Sequence, residues 1–149
     1  MAGTIVAAIK SKLVEMLQQR PGLGGVQITY GFPGQANVKR ESIWLEGSQA
    51  DVNFAAMRAN RKSRNEDATI TLVVHVETNQ GFEASDTRVC ALGQEVEECI
   101  ADNTVLDHTI SGLSWLGVDH WGLRQLAGED AIGLGSQLVY TLKYKSRLL

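Results

Sequence analysis

Between Thr4 and Gln19, apolar side chains fall at Ile5, Ile9, Leu13, Met16 and Leu17, with Lys10, Lys12, Glu15 and Gln18 between them. That spacing lays one apolar stripe along a helix of about 16 residues, roughly 24 Å long. Thr4 is a reasonable N-cap. Arg20-Pro21-Gly22 ends the helix, because proline disfavours the helical region at the residue before it. After the Gly22–Gly25 turn, Val26 to Tyr30 alternates apolar and polar residues and reads as a strand. Gly31-Phe32-Pro33-Gly34 stops it, and Ser42 to Glu46 reads as a second short strand.

Beyond Gly47 the apolar signal fades, although Val52 and Phe54 could prolong the strand. The segment 47–66 is therefore expected to be a long protruding loop, with an exposed part around 56–65. The clearest strand is Glu66 to Glu77. Ile70, Leu72, Val74 and Val76 share one face, and Thr69, Thr71, Val73, His75 and Glu77 the other. A second helix is expected over Ala84 to Ala101, started by Ser85 or Asp86. Val89, Leu92, Gly93, Val96 and Ile100 form its buried stripe, while Glu95, Glu97 and Glu98 form a solvated side. Gly112 to Val118 and Gln137 to Lys145 read as the closing strands. Trp121 to Gly135 reads as an ordered loop, which leaves Leu123, Leu126, Ile132 and Leu134 outside regular elements.

Two helices and one mainly antiparallel sheet make an α+β two-layer sandwich with both helices on one face. The 149 residues suit one domain spanning 1–149. An apolar content of 44% argues against disorder. The net charge of −3 weighs against a dedicated duplex-binding domain. No apolar run approaches a membrane span. The start, Met1-Ala2-Gly3-Thr4-Ile5, shows neither a secretory signal nor a myristoylation pattern. Cys90 and Cys99 lie nine apart on the expected helix, on opposite faces, so they cannot bridge each other.

Motifs for chemistry are sparse. His75, His108 and His120 fit no metal-ligand spacing and read as solvated loop or strand-end residues. Asp107-His108 and Asp119-His120 repeat a dipeptide, but neighbours on a strand face opposite ways. No nucleophile elbow, phosphate loop or dinucleotide fingerprint occurs. No catalytic residue, cofactor or metal is expected. The strongest charge feature is basic: Arg58, Arg61, Lys62 and Arg64 fall within seven positions. Such a cluster suits a solvated loop tip, a contact with a subunit or partner protein, or phosphates. No aromatic is interleaved, which counts against base stacking. Leu123, Arg124 and Leu126 join the cluster as candidate contacts.

The order of elements resembles the tail terminator proteins of long-tailed bacteriophages, also called tail completion or minor tail proteins. The features that carry the resemblance are the opening helix, the strand Val26-Gln27-Ile28-Thr29-Tyr30 and the turn Tyr30-Gly31-Phe32-Pro33-Gly34. Then follow Glu41-Ser42-Ile43-Trp44-Leu45, a long loop, the central strand Ala68 to Val76, the second helix and a closing hairpin. The resemblance implies a non-enzymatic virion protein made in the bacterial cytoplasm. It implies a homohexameric ring on the head-proximal end of the tail tube. There the ring would stop tube polymerisation, meet the head-closure or connector protein, and let DNA pass through its lumen without specific binding. A mildly acidic chain is compatible with that passage. The residues leave other readings open: a head-closure or head–tail adaptor, a small enzyme or ligand-binding domain using the histidines, or a nucleic-acid module using the basic cluster.

Overall fold

The computed structural model describes residues 3–58, 61–127 and 134–148; for 53–58, 61–64 and 148 the backbone alone is described. Helix α1 (Val6–Gln18) is followed by a 3₁₀ turn at Pro21–Leu23 and strand β1 (Gln27–Thr29). Strands β2 (Glu41–Arg58) and β3 (Arg61–Glu77) follow, then helix α2 (Phe82–Asp102), a 3₁₀ turn at Leu106–His108, and strands β4 (Leu113–Leu126) and β5 (Gly135–Leu148). The strands form one sheet in the order β1-β2-β3-β5-β4. Only β1 and β2 run parallel; the other neighbours are antiparallel. Both helices cover one face, so the expected two-layer α+β sandwich holds.

The core lies between that face and the helices. Ile9, Leu13 and Leu17 of α1 and Val89, Leu92, Val96 and Ile100 of α2 meet Ile43, Leu45, Ile70, Leu72, Val74, Leu138, Tyr140, Leu142 and Tyr144 of the sheet. The alternation in β3 and β5 produces this directly, since residues two apart share a face. The helices keep their predicted stripes but not their predicted caps. Ile5 is the N-cap position of α1, and the Thr4 hydroxyl accepts the Val6 N–H at 3.3 Å. Helix α2 begins at Phe82 after Gly81, whose φ of 101° suits glycine. Ser85 and Asp86 therefore lie inside the helix and turn to β5. The Ser85 hydroxyl is bonded to the Ser136 hydroxyl at 2.7 Å, and Ser136 donates to Asp86.

Two expected loops are strands. Residues 47–58 continue β2 and residues 61–66 open β3, giving a long hairpin paired out to Arg58↔Arg61. Strand β5 follows β3 only as far as Leu148↔Arg64, so the end of the hairpin projects beyond its neighbour. Likewise, Trp121–Leu126 belongs to β4, which runs antiparallel to β5 from Leu113 to Leu126. A register shift stands at the start of each misread segment. Between Leu45 and Ser48, and again between Val118 and His120, β2 and β4 carry one residue more than the partner strand. A bulge reverses which parity faces the core, so the period-two signal breaks although the strand continues.

Candidate interaction surface

Strand β4 is an edge strand, and no described strand pairs with its outer side. The loop before it covers the first rungs, where the Leu116 N–H donates to the Thr104 carbonyl at 2.8 Å. That loop holds Leu106, Asp107 and His108 at φ values of 49°, 58° and 59°, a left-handed run that buried Leu106 anchors. From Gly117 to Leu126 no described backbone group pairs with the outer edge. On the helix side of this stretch stand Trp121, 60% exposed, and Leu123, 40% exposed. On the opposite side the Trp115 indole lies across Gly117, where any Cβ would collide with it. An open edge flanked by large apolar side chains is a template for strand pairing with another chain.

The helix-free face is covered in part. Phe32, from the segment after β1, packs edge-on against Trp44, with ring centroids 5.1 Å apart. Trp44 in turn lies 5.7 Å from the ring of His75. His75 is fully buried, which corrects the expectation of a solvated strand-end histidine. A chain of polar contacts runs through it. Arg124 Nε donates to Gln137 Oε1 at 2.8 Å, and Gln137 Nε2 meets His75 Nδ1 at 3.0 Å. An amide nitrogen donates, so His75 Nδ1 accepts and its proton sits on Nε2. That nitrogen is 3.4 Å from Glu77 Oε1. Burial holds the His75 pKa below the ordinary imidazole value, and Glu77 opposes the shift without cancelling it.

The other ionisable groups are tied into the fold. Glu95 and Glu98 are not simply a solvated face: both pair with Arg20, at 2.7 and 3.0 Å. Glu97 accepts the buried Tyr140 hydroxyl at 2.8 Å, and burial together with Glu97 raises the phenol pKa. His120 and Asp119 do meet, at 2.9 Å, because the bulge between Val118 and His120 breaks the strict alternation of neighbours. Cys90 is exposed and Cys99 buried, both free. Among the described residues, no His, Cys, Asp and Glu side chains cluster so as to hold a metal. No helix among them is long and apolar enough to cross a membrane.

The expected contact residues fall into two groups at opposite ends of the sheet. Arg58, Arg61, Lys62 and Arg64 occupy the distal hairpin, where Met57 pairs with Lys62 and Phe54 with Arg64; their side chains lie outside the described residues. Leu123, Arg124 and Leu126 lie at the far end of β4, not in a loop. Leu123 is exposed, Leu126 half-buried, and Arg124 is engaged with Gln137. Arg124 is level with His75 through Gln137, which is eleven residues from Arg64 along β3, roughly 36 Å. Ile132 lies outside the described residues. Sequence reasoning missed Trp115 and Trp121, the largest exposed side chains on β4. The alternation of Trp121, Leu123 and Gln125 could have revealed Trp121 once the bulge was allowed for.

Fold and surface together define an α+β domain with an open-edged sheet and a projecting hairpin. No protein-family model matches the chain, and no curated protein matches it either.

Proposed function

We propose that this chain is a structural ring subunit of a long-tailed bacteriophage, the terminator at the head-proximal end of the tail tube. The observation that carries the reading is the open sheet. Among the described residues, no strand pairs with the outer edge of β4, which is open from Gly117 on, and β1 covers only Ser42 to Trp44 on the outer side of β2. A subunit with a free edge on each side of one sheet suits head-to-tail association, and such an interface closes into a ring when its rotation does. The element order that resembles the tail terminators supports the same reading.

In this role the chain is not an enzyme. Its partners are copies of itself, the tube protein, and the head-closure or connector protein. DNA crosses the lumen without specific binding, and the protein resides in the virion. Light scattering and negative-stain imaging of the pure protein, with antibody labelling of intact tails, test this. Rings in solution and label at the head-proximal tail end are expected. Monomers together with unlabelled tails overturn the reading, and label confined to the head side of the neck would assign a head-closure role instead.

A further inference from the structure

We infer that neighbouring copies join by pairing the outer edge of β4 in one with the outer edge of β2, residues 46–52, in the next, so that one sheet runs from subunit to subunit. This rests on the ring reading above and specifies its interface. Four features of the two edges match.

The first is polarity. Within the sheet β3 is antiparallel to both β2 and β5, and β5 is antiparallel to β4. Strands β2 and β4 therefore run in opposite directions, and copies related by rotation, with helix layers on the same side, bring them together as an antiparallel pair.

The second is shape. On the helix side, the β4 edge presents the bulky Trp121 and Leu123. On the helix side, the β2 edge presents small residues, because Ser48 pairs with Ile70 and Ala50 with Ala68, both core-facing positions. There the surface is hollow: a cavity of about 240 Å³ has both polar and apolar walls, among them Ser48, Glu66, Val6, Ala50, Val52 and Tyr144. Opposite residues of an antiparallel pair share a face. An indole on one edge thus falls beside the hollow on the other.

The third is charge. In the register that sets Trp121 opposite Ala50, His120 falls opposite Asp51 and Arg124 beside Glu46, all on the helix-free side. Asp51 faces Asp67 within its own subunit, Asp67 has Lys145 on its other side, and an imidazole N–H opposite Asp51 can donate to its carboxylate. The fourth is stagger. This register displaces each copy by four residues relative to its neighbour, about 13 Å, and closed sheets of tilted strands require a displacement of this kind.

A symmetric β4-to-β4 dimer is the competing arrangement. It leaves the β2 edge and its hollow uncovered, and it ends at two copies.

Two variants separate the outcomes. Trp121→Lys alters an exposed side chain and should keep the circular dichroism spectrum of the wild type. It should raise the concentration for half-assembly at least about tenfold, the effect of removing one aromatic anchor. The second test places cysteines on the two edges, Gly122→Cys and Gln49→Cys, in a Cys90→Ser background. A Cβ at Gly122 meets nothing within 4 Å. Mild oxidation of the double variant should give a ladder of covalent oligomers that ends at the ring's copy number, and Gln49→Cys alone should give none. Efficient dimerisation of Gly122→Cys alone establishes the symmetric arrangement and overturns this one. Wild-type rings that persist in Trp121→Lys and yield no ladder overturn the interface while the ring reading stands. A wild-type chain that stays monomeric, with unlabelled tails, overturns both.

Discussion

His75 is an imidazole that the fold keeps neutral. It is enclosed by Trp44 and Gln137, and its Nε2 faces Glu77 at 3.4 Å. Its folded pKa lies below the ordinary value of about 6.5. As the pH falls below that value, the unfolded chain binds a proton that the folded chain refuses. Stability is therefore full above about pH 6.5 and declines on acidification, until the folded imidazole is itself protonated. The slope reaches at most about 1.4 kcal/mol per pH unit. Urea midpoints measured between pH 7.5 and 5.5 should fall more steeply for the wild type than for His75→Gln, whatever the absolute stability of the variant. Parallel slopes would show that His75 titrates normally. None of this was legible from the sequence. Strand alternation put His75 on the face away from the helices, which ordinarily means solvent. Its burial comes from Phe32, Trp44 and Gln137, brought together by a turn and two other strands. Gly135 is a second residue whose role is purely tertiary. A Cβ there would sit 2.0 Å from the Val76 carbonyl oxygen, and neither backbone can yield. Gly135→Ala should lower stability by about 2 kcal/mol or more, read as a drop in the urea midpoint.

At the scale of elements, the helices and the 66–77 part of β3 were legible because one periodicity runs through each without interruption. The ends of β2 and β4 were not. A bulge in β2 moves the core-facing set from Ile43 and Leu45 to Ser48 and Ala50, and a bulge in β4 moves it from Leu116 and Val118 to Trp121 and Leu123. Both segments also lie at open edges, where polar residues are tolerated on either face and the composition imitates a loop. The basic cluster was visible as a cluster but not as the end of a hairpin. Helix α2 shows how closely a legible element can still depend on one residue. Gly93 belongs to its buried stripe, and a Cβ there would meet Leu138 Cδ2 and the Tyr140 hydroxyl, each at 2.5 Å. Those atoms are not free to move, because Leu138 and Tyr140 are buried and the hydroxyl is held by Glu97. Alanine in place of glycine gains up to about 1 kcal/mol of helix propensity. Overpacking costs about 1–3 kcal/mol. The clash should win, so Gly93→Ala should lower the melting temperature, whereas a gain would mean that α2 lifts from β5 at little cost.

At the scale of the whole molecule, the hairpin extends past the end of β5, in the direction away from Leu123, Arg124 and Leu126. In a cyclic ring every copy points the same way, so every hairpin end emerges from one ring face. Arg58, Arg61, Lys62 and Arg64 lie on that end, in a chain whose net charge is −3. The ring reading thus gives one face a circle of cations above an otherwise acidic body, suited to an acidic partner surface. Residues 53–58 and 61–65 form the distal part of the hairpin, and β5 accompanies them only at Arg64 and Asn65. Val52 pairs directly with Glu66, so a two-residue Asn-Gly turn can join them in place of that segment. The shortened chain should melt within about 5 °C of the wild type, since a change worth less than about 1 kcal/mol moves a domain of this size by only a few degrees. It should also still assemble, because the edges at 46–52 and 117–126 remain. What it should lose is attachment at the tail, scored as the fraction of tails carrying a ring in negative stain. Replacing the four cations by serine should weaken attachment in the same assay and make what remains less sensitive to salt. Loss of assembly in the shortened chain would move the subunit contact to the hairpin, and full attachment by both variants would leave the circle of cations without a role.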